Sequence, residues 1–227
     1  MIWENKIYVK EQEILLCRFN QSVSVMVYFW PELCATGIAF ITRAGLGTSP
    51  VSGLPFVLSL VTPVSMGFFT FLFNMIFLIC EAILRKRFSI EQALQIPITF
   101  FFSFCIDKAM AIIPTRFGGP WGDSFVYLVI GCIIMSLGIS FEVIADVIML
   151  PAEAFVRAFA KKTGFIFGNV KVGFDSTLTI LAMILALICF HKLNGVREGT
   201  LINALVVGQM VKQWRRYIEK PLSNAIA

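Results

Sequence analysis

The stretch GIAFITRAGLGTSP at residues 37–50 ends one long apolar run at a proline that begins a second, shorter one. A related stretch, GISFEVIADVIMLP at residues 138–151, does the same 101 residues later. The two share glycine, isoleucine, phenylalanine, alanine and proline in register, and matches continue without a gap as far as Leu84 and Leu185. An ungapped repeat of this kind predicts two structurally equivalent halves.

The composition predicts an integral membrane protein. Hydrophobic residues make up 58% of the 227 residues and charged residues only 15%, with a mean hydropathy of +0.82. No stretch is long and mixed enough for a soluble catalytic domain, which needs about 50 to 100 residues of its own. The net charge of +5 comes from short Lys and Arg clusters between apolar runs, a pattern typical of helix anchoring and not of nucleic-acid binding. We therefore expect the lipid bilayer as a partner and no nucleic acid.

The sequence lacks the motifs of enzymes and metal sites. The six cysteines have no C-x-x-C spacing, and the single histidine, His191, ends an apolar run away from other ligands. There is also no nucleotide-binding, serine-hydrolase or zinc-protease motif. We therefore expect no metal, no cofactor and no enzymatic activity.

Six runs are long and apolar enough to cross a bilayer, which takes about 20 residues. Two shorter runs, about 50–61 and 151–162, begin at Pro50 and Pro151 and predict half-helices that do not cross. The predicted division is an N-terminal arm (1–21), two three-helix repeats (22–113 and 123–216) and a tail (217–227). The six predicted spans are about 23–43, 65–84, 89–113, 124–146, 166–190 and 199–214.

Lysine and arginine clusters set the predicted orientation. They occur at 85–87, 157–162 and 212–220, which fall on one side of the membrane if six helices cross and the half-helices do not. Loops rich in these residues stay in the cytoplasm, so both termini are expected there. Each half then crosses three times, an odd number, so the second half enters from the opposite side. The predicted fold is all-α, with six transmembrane helices in two inverted-topology repeats, an arrangement common among secondary transporters.

The turn before the first half-helix is a candidate solute-binding site. Its glycines permit sharp bends, and Thr48 or Ser49 is placed to cap the helix that starts at Pro50. The N–H groups at such a helix start attract an anion or a polar solute. A plain capping turn explains the same residues, and the sequence leaves both interpretations open. We place Thr48, Ser49, Pro50 and Ser52 among the candidate solute contacts.

Ionisable residues inside the predicted spans form the second candidate site. Glu142 and Asp146 are four residues apart, hence on one face of a helix, where two carboxylates can share a proton or hold a cation. Asp175 lies four residues after Lys171 in the fifth span, which predicts an ion pair, and its repeat mate in the second span is Asn74. We assign Glu142, Asp146 and Asp175 to proton or cation coupling, and Asn74 to solute contact. Two structural alternatives stay open: Asp146 lies at the membrane interface, or Lys171 neutralises Asp175 only for membrane insertion.

Other polar residues have structural explanations as well. Glu153 is interpreted as an ordinary first-turn acid of the second half-helix, and Glu81 as an acid that extends toward Arg85. Two polar stripes in equivalent spans either join helices or line a shared cavity. The stripes are Gln92, Gln95 and Thr99 in the third span and Thr200, Asn203 and Gln209 in the sixth, with Asn203 counted among the solute contacts.

Several segments resemble one known family. RAGLGTSP (43–50), FSIEQALQIPI (88–98), AKKTG (160–164), FD (174–175) and REGT (197–200) are similar to segments of the YczE/YyaS/YitT family of bacterial integral membrane proteins, above all its YczE type. The resemblance covers about residues 22–216. It implies a multi-pass protein of a bacterial inner or plasma membrane, whose substrate is not established. Some relatives lie beside antibiotic-biosynthesis genes, which implies export of a product or an accessory role.

The function expected from the sequence is secondary transport of a small polar or anionic solute, coupled to protons or another cation. Two alternatives stay open. A substrate-binding membrane subunit of an ATP-driven importer also has about six helices but needs an ATPase partner. A membrane scaffold or regulator would not need the buried charges for activity, and a homo-oligomer is compatible with all three.

Overall fold

The structure, a computed structural model, describes residues 21–114, 121–145, 148–191, 199–200, 203, 206–214 and 217–218. The side chains of residues 21–28 and 121 are outside this description. All regular elements of the described residues are helices. Seven have complete bounds: α1 (Gln21–Arg43), α2 (Pro50–Val61), α3 (Met66–Arg85), α4 (Ile90–Ile112), α5 (Trp121–Ala145), α6 (Pro151–Thr163) and α7 (Phe167–Phe190). The described residues from 199 onward are also helical and are called the C-terminal segment.

Four helices of the described part are long and apolar enough to cross a membrane: α3, α4, α5 from Gly122 onward, and α7. They match the second to fifth predicted spans and make the chain compatible with a membrane protein. α1 has 23 residues and matches the bounds of the first predicted span. The sixth span and the tail are only partly described, and of the N-terminal arm only Gln21 is.

The two shorter helices, α2 and α6, lie where the sequence predicts half-helices. They have 12 and 13 residues, hence lengths of about 18 to 20 Å, well short of the roughly 30 Å hydrocarbon core. Pro50 and Pro151 occupy their first turns, where the missing N–H costs no hydrogen bond. The start of α2 is capped by Ser49, whereas Leu150 at the start of α6 has no side chain that could do this.

The most extensive helix pair, α1 and α5, meets through glycines. A Cβ on Gly37 would lie 2.6 Å from the backbone nitrogen of Met135, and one on Gly138 would lie 2.8 Å from that of Cys34. These are repeat-equivalent contacts, because the offset of 101 residues converts Gly37 into Gly138 and Cys34 into Met135. The first helices of the two halves therefore cross through the same residues of each half.

The half-helices pack crosswise. α2 contacts α3, which follows it, and also α7 of the other half, while α6 contacts α7, which follows it, and also α3. α1 packs in addition on α4, and α3 on α4. This arrangement buries one face of α2 and one face of α6 against the longer helices and leaves one side of α7 exposed with apolar residues. That outer side includes Ile180, Ile184 and Ile188.

Candidate functional site

The hydroxyl groups before α2 are buried and bonded to one another. Ser49 Oγ accepts a hydrogen bond from the Ser52 backbone N–H at 3.4 Å and lies 2.9 Å from Ser52 Oγ. Thr48 and Thr42 pair through their hydroxyls at 2.9 Å. Pro50 follows the cap and is half-buried. These contacts form a capping turn, one of the two interpretations open from the sequence.

The C-terminal segment holds this turn from the other half of the chain. The Gly199 N–H donates to the Leu46 carbonyl at 2.8 Å, and the Thr48 N–H donates to Thr200 Oγ1 at 3.3 Å. Gly47 has a φ of 133°, a conformation that favours glycine. The capping turn therefore lies at a junction between the two halves.

Three charged side chains meet between α6 and α7. Lys171 Nζ lies 3.2 Å from Asp175 Oδ1, which confirms the predicted ion pair, and 3.5 Å from Glu153 Oε1. All three side chains are about one quarter exposed, at 23%, 25% and 27%. Glu153 therefore does more than the first-turn acid expected from the sequence. We call Glu153, Lys171 and Asp175 the charged triad.

Glu142 reaches from α5 to the start of α6. It is 3% exposed, and its Oε1 accepts a hydrogen bond from the Leu150 N–H at 3.1 Å. The carboxylate thereby caps a helix that lacks a cap of its own, at the end where the helix dipole favours negative charge. Glu142 also interacts electrostatically with Glu153 and Lys171. Asp146, the partner predicted for it, lies outside the described residues.

The capping contact separates two variants of Glu142. Glu142→Leu removes the acceptor and is expected to lower the free energy of unfolding by about 1–2 kcal/mol, the usual value of a helix cap. Glu142→Gln keeps an oxygen acceptor and is expected to unfold at or above the wild-type temperature. Thermal unfolding of the purified protein measures both. Equal stability of the two variants would contradict the capping role.

Among the described contacts of the triad, three carboxylates surround one ammonium. Glu142, Glu153 and Asp175 supply the carboxylates and Lys171 the ammonium, all close to or inside predicted membrane spans. Uncompensated charge is costly there, so protonation or a bound cation is needed to neutralise it. No group of three or more His, Cys, Asp and Glu in the described ranges has metal-site geometry. Three carboxylates around one ammonium can share or release a proton.

The first half has an uncharged counterpart of this triad. The repeat offset pairs Ser52 with Glu153, Thr70 with Lys171 and Asn74 with Asp175. Thr70 and Asn74 are 4% and 3% exposed, and Asn74 Nδ2 donates to the Thr70 carbonyl at 2.9 Å. Asn74 Oδ1 has no hydrogen-bond partner among the residues that the structure describes. We call Ser52, Thr70 and Asn74 the neutral set.

One family model covers most of the chain. DUF6198, described as a family of unknown function, matches residues 26–216. The chain belongs to the DUF6198 family. The comparisons with curated proteins and with solved structures found no significant match.

Three phenylalanines join the halves of this DUF6198 protein beside the charged triad. The ring centroids of Phe77 on α3, Phe155 on α6 and Phe174 on α7 lie 5.1 to 6.1 Å apart. Aromatic contacts of this kind stabilise a folded protein by more than the burial of their apolar area alone. The sequence offers only a weak signal for them, since phenylalanine is abundant throughout the chain.

The polar stripes of the DUF6198 protein are only partly as predicted. Gln92, Gln95 and Thr99 are all buried on one face of α4, as expected. In the C-terminal segment, Thr200 and Asn203 are buried but Gln209 is exposed, so the prediction that it shares their stripe is wrong. The nine residues from Thr200 to Gln209 make about two and a half turns of an α-helix, so Gln209 lies on the face opposite Thr200.

Glu81 proves more buried than its predicted extension toward Arg85 requires. Its side chain is 1% exposed, and Arg85 Nε lies 3.0 Å from Oε1. Gln92 and Gln95 of α4 lie beside the same carboxylate. Hydrophobicity alone cannot reveal this placement, because Glu81 is close to the end of its span.

A basic cleft of about 490 Å³ opens between α6 and the start of α7. Arg157 and Lys161 supply its positive charge, and Met149, Phe165 and Phe167 supply apolar walls. A small anionic group fits this combination of charge and apolar surface.

Proposed function

We propose that this DUF6198 protein is a secondary transporter of a small polar or anionic solute, coupled to protons or another cation. The observation that carries the proposal is the charged triad, which places a set of ionisable groups against a half-helix. Ionisable groups inside transmembrane bundles are costly and mark ion or solute pathways. The proposal is for a carrier and not for an enzyme.

The proposed architecture is six spans in two inverted repeats. Two features support it: the glycine contacts of Gly37 and Gly138, which exchange under the repeat offset, and the crosswise packing of α2 on α7 and α6 on α3. Inverted repeats allow one half to adopt the conformation of the other, which exchanges inward-facing and outward-facing states. On this basis we place both termini in the cytoplasm, in a bacterial inner or plasma membrane.

We assign different roles to the two equivalent sets. The neutral set, with Asn74 and Ser52, is proposed to contact the solute together with Thr48, Ser49 and Pro50. Asn203, which is 2% exposed and has Cys132 Sγ 3.8 Å from its Oδ1, is proposed to join helices instead. The charged triad and Glu142, with Asp146, are proposed to bind the coupling proton or cation. The cleft lined by Arg157 and Lys161 would attract an anionic solute from the side that carries the basic clusters. The string RAGLGTSP at 43–50 supports a relationship to YczE-type proteins.

The proposal predicts a ligand-dependent stabilisation. A solute that binds the native protein at 100 times its Kd adds about 2.7 kcal/mol to stability, which corresponds to several degrees in Tm. We expect one class of small polar or anionic metabolite to raise the Tm of the purified protein, by amounts that differ between two pH values. Asp175→Asn and Glu142→Gln are expected to lose the pH dependence.

Glu32→Gln is the matched control, because Glu32 is an exposed acid of α1, a helix that packs mainly on α4 and α5 rather than on α6 or α7. It should respond to solute and pH as the wild type does. No stabilisation across a broad panel, with an ATPase module in the purified complex, would favour the importer subunit. No stabilisation and no such partner, with full cellular activity of Asp175→Asn, would favour the scaffold.

A further inference from the structure

One face of α4 is polar along most of its length. Gln92, Gln95, Thr99 and Ser103 are spaced by three or four residues and are each no more than 5% exposed. This face lies against α3, where Glu81 is beside Gln92 and Gln95. We call the interface the α3–α4 seam.

The two helices run antiparallel, which fixes the levels of the seam. At one end the Gly67 N–H donates to Asp107 Oδ1 at 2.7 Å, and at the other Glu81 lies beside Gln92 and Gln95. Asn74 lies seven residues from Glu81 on α3, and Thr99 lies seven residues from Gln92 on α4. Asn74 is therefore at the level of Thr99. Polar groups therefore recur at successive turns over about 16 Å of α4, from Gln92 to Ser103.

At the Glu81 end, Gln92 and Gln95 hydrogen-bond to the Glu81 carboxylate. Farther along the seam, the described polar side chains do not bond across it. The hydrogen bond of Asn74 and the other bond of Gln92 run within their own helices, to Thr70 and to the Ser89 cap. Side chains that join membrane helices pair across the interface, and a buried polar group without a partner destabilises the protein. Glu81 has Arg85 as a further partner, beside Gln92 and Gln95. Within the part of the chain that the structure describes, the other buried atoms of the seam that have no hydrogen-bond partner are Asn74 Oδ1, Gln95 Oε1, Thr99 Oγ1 and Ser103 Oγ.

The two ends of the seam differ. At the Glu81 end, Arg85 and Glu91 are 28% and 45% exposed and lie 3.4 Å apart, so polar groups lead to the surface. At the Gly67 end the helices touch, since a Cβ on Gly67 would lie 2.3 Å from the Ser103 carbonyl oxygen. A path along the seam would therefore reach the surface at the Glu81 end and stop at the Gly67 end.

We propose that the α3–α4 seam is a half-channel that holds a file of water molecules. It opens at Arg85, on the side predicted to be cytoplasmic, and ends where Gly67 meets Ser103. Water suits the spacing because a buried water makes about three hydrogen bonds, whereas Ca²⁺ or Mg²⁺ needs about six oxygens around one point. The hydration of the seam does not depend on the proposed function. The further claim, that the file of water leads protons toward the charged triad through α6 packed on α3, rests on the proposed function.

Water-edited solid-state NMR of the full chain in lipid bilayers tests the hydration. Polarisation passes from water to side-chain amides that water contacts, and the chain contains matched amides for comparison. Asn203 is 2% exposed with Cys132 Sγ 3.8 Å from its Oδ1, and Gln213 is exposed. We expect transfer to Gln92, Gln95 and Asn74 to be several-fold faster than to Asn203 and close to that of Gln213. Transfer as slow as to Asn203 would overturn the half-channel.

Thr99→Val tests the file without a change of side-chain shape. Loss of the hydroxyl at mid-seam is expected to slow transfer to Asn74 to the rate of Asn203, while transfer to Gln92 stays fast. Thr177→Val is the control, since Thr177 is exposed on α7 and bonds only within its own helix. Unchanged transfer to Asn74 in Thr99→Val would overturn the file. A hydrated seam in a protein that binds no solute would leave the half-channel intact and reject the carrier.

Discussion

A Gly37→Val protein is expected to lose about 3 kcal/mol or more of its free energy of unfolding. The new Cβ would lie 2.6 Å from the Met135 backbone nitrogen and 2.7 Å from its Cα. Backbone atoms inside a helix cannot turn aside as a flexible side chain does, so α1 and α5 must separate, and overpacking of this kind costs about 1–3 kcal/mol or more. Thermal or denaturant unfolding in detergent measures the loss.

Gly173→Val is the matched control for this prediction. Gly173 is also a helical glycine, in α7, but a Cβ there would meet nothing within 4 Å. Valine is a somewhat better helix former than glycine, so the control should be as stable as the wild type or slightly more so. Similar losses in both variants would show that the α1–α5 contact is not the cause. The equivalent variant Gly138→Val is expected to behave as Gly37→Val does.

Replacement of Lys171 by methionine is expected to destabilise the protein by about 2–4 kcal/mol and to remove its response to solute. Loss of one partner from a buried ion pair costs about 3–5 kcal/mol, and the partial exposure of the triad reduces this. Lys171→Met leaves Glu153 and Asp175 without their cation. The double variant Lys171→Met/Asp175→Asn should recover part of the stability, because it removes one uncompensated charge.

The cycle of wild type, single and double variants measures the coupling between Lys171 and Asp175. Lys161→Met provides the control, since Lys161 is exposed on α6 and its replacement should change stability by about 0.5 kcal/mol or less. If the two lysine variants lose equal stability, or if the double variant recovers none, the triad does not act as a unit.

Periodicity predicted the elements of this fold that depend on one helix at a time. The half-helices start at Pro50 and Pro151 because proline tolerates the first turn and little else of a helix. The Lys171–Asp175 pair follows from a spacing of four residues on one face. Four predicted spans were found for the same reason, since length and hydropathy are local properties.

Contacts between helices could not be predicted from the periodicity of single helices. Glu142 caps α6 across a turn, and Glu153 joins Lys171 through the packing of α6 on α7; in neither case do both partners lie on one helix. The burial of Glu81 depends on the level at which α4 lies against α3, which no single-helix pattern encodes. Gly37 is a partial exception, because the repeat in the sequence already pairs it with Gly138. Only the structure shows that both glycines lie where α1 and α5 cross.

The opposed orientation of the two halves is the central claim, and side-specific labelling measures it directly. Phe88 follows α3 and His191 follows α7, so they occupy corresponding turns of the two halves, and both are exposed. Phe88→Cys and His191→Cys are to be treated with a membrane-impermeant thiol reagent in whole cells and in inside-out vesicles, and the labelled site located by mass spectrometry. We expect Phe88→Cys to react only in the vesicles and His191→Cys only in the cells. Reaction of both from the same side would contradict the inverted repeat and, with it, the proposed mechanism of transport.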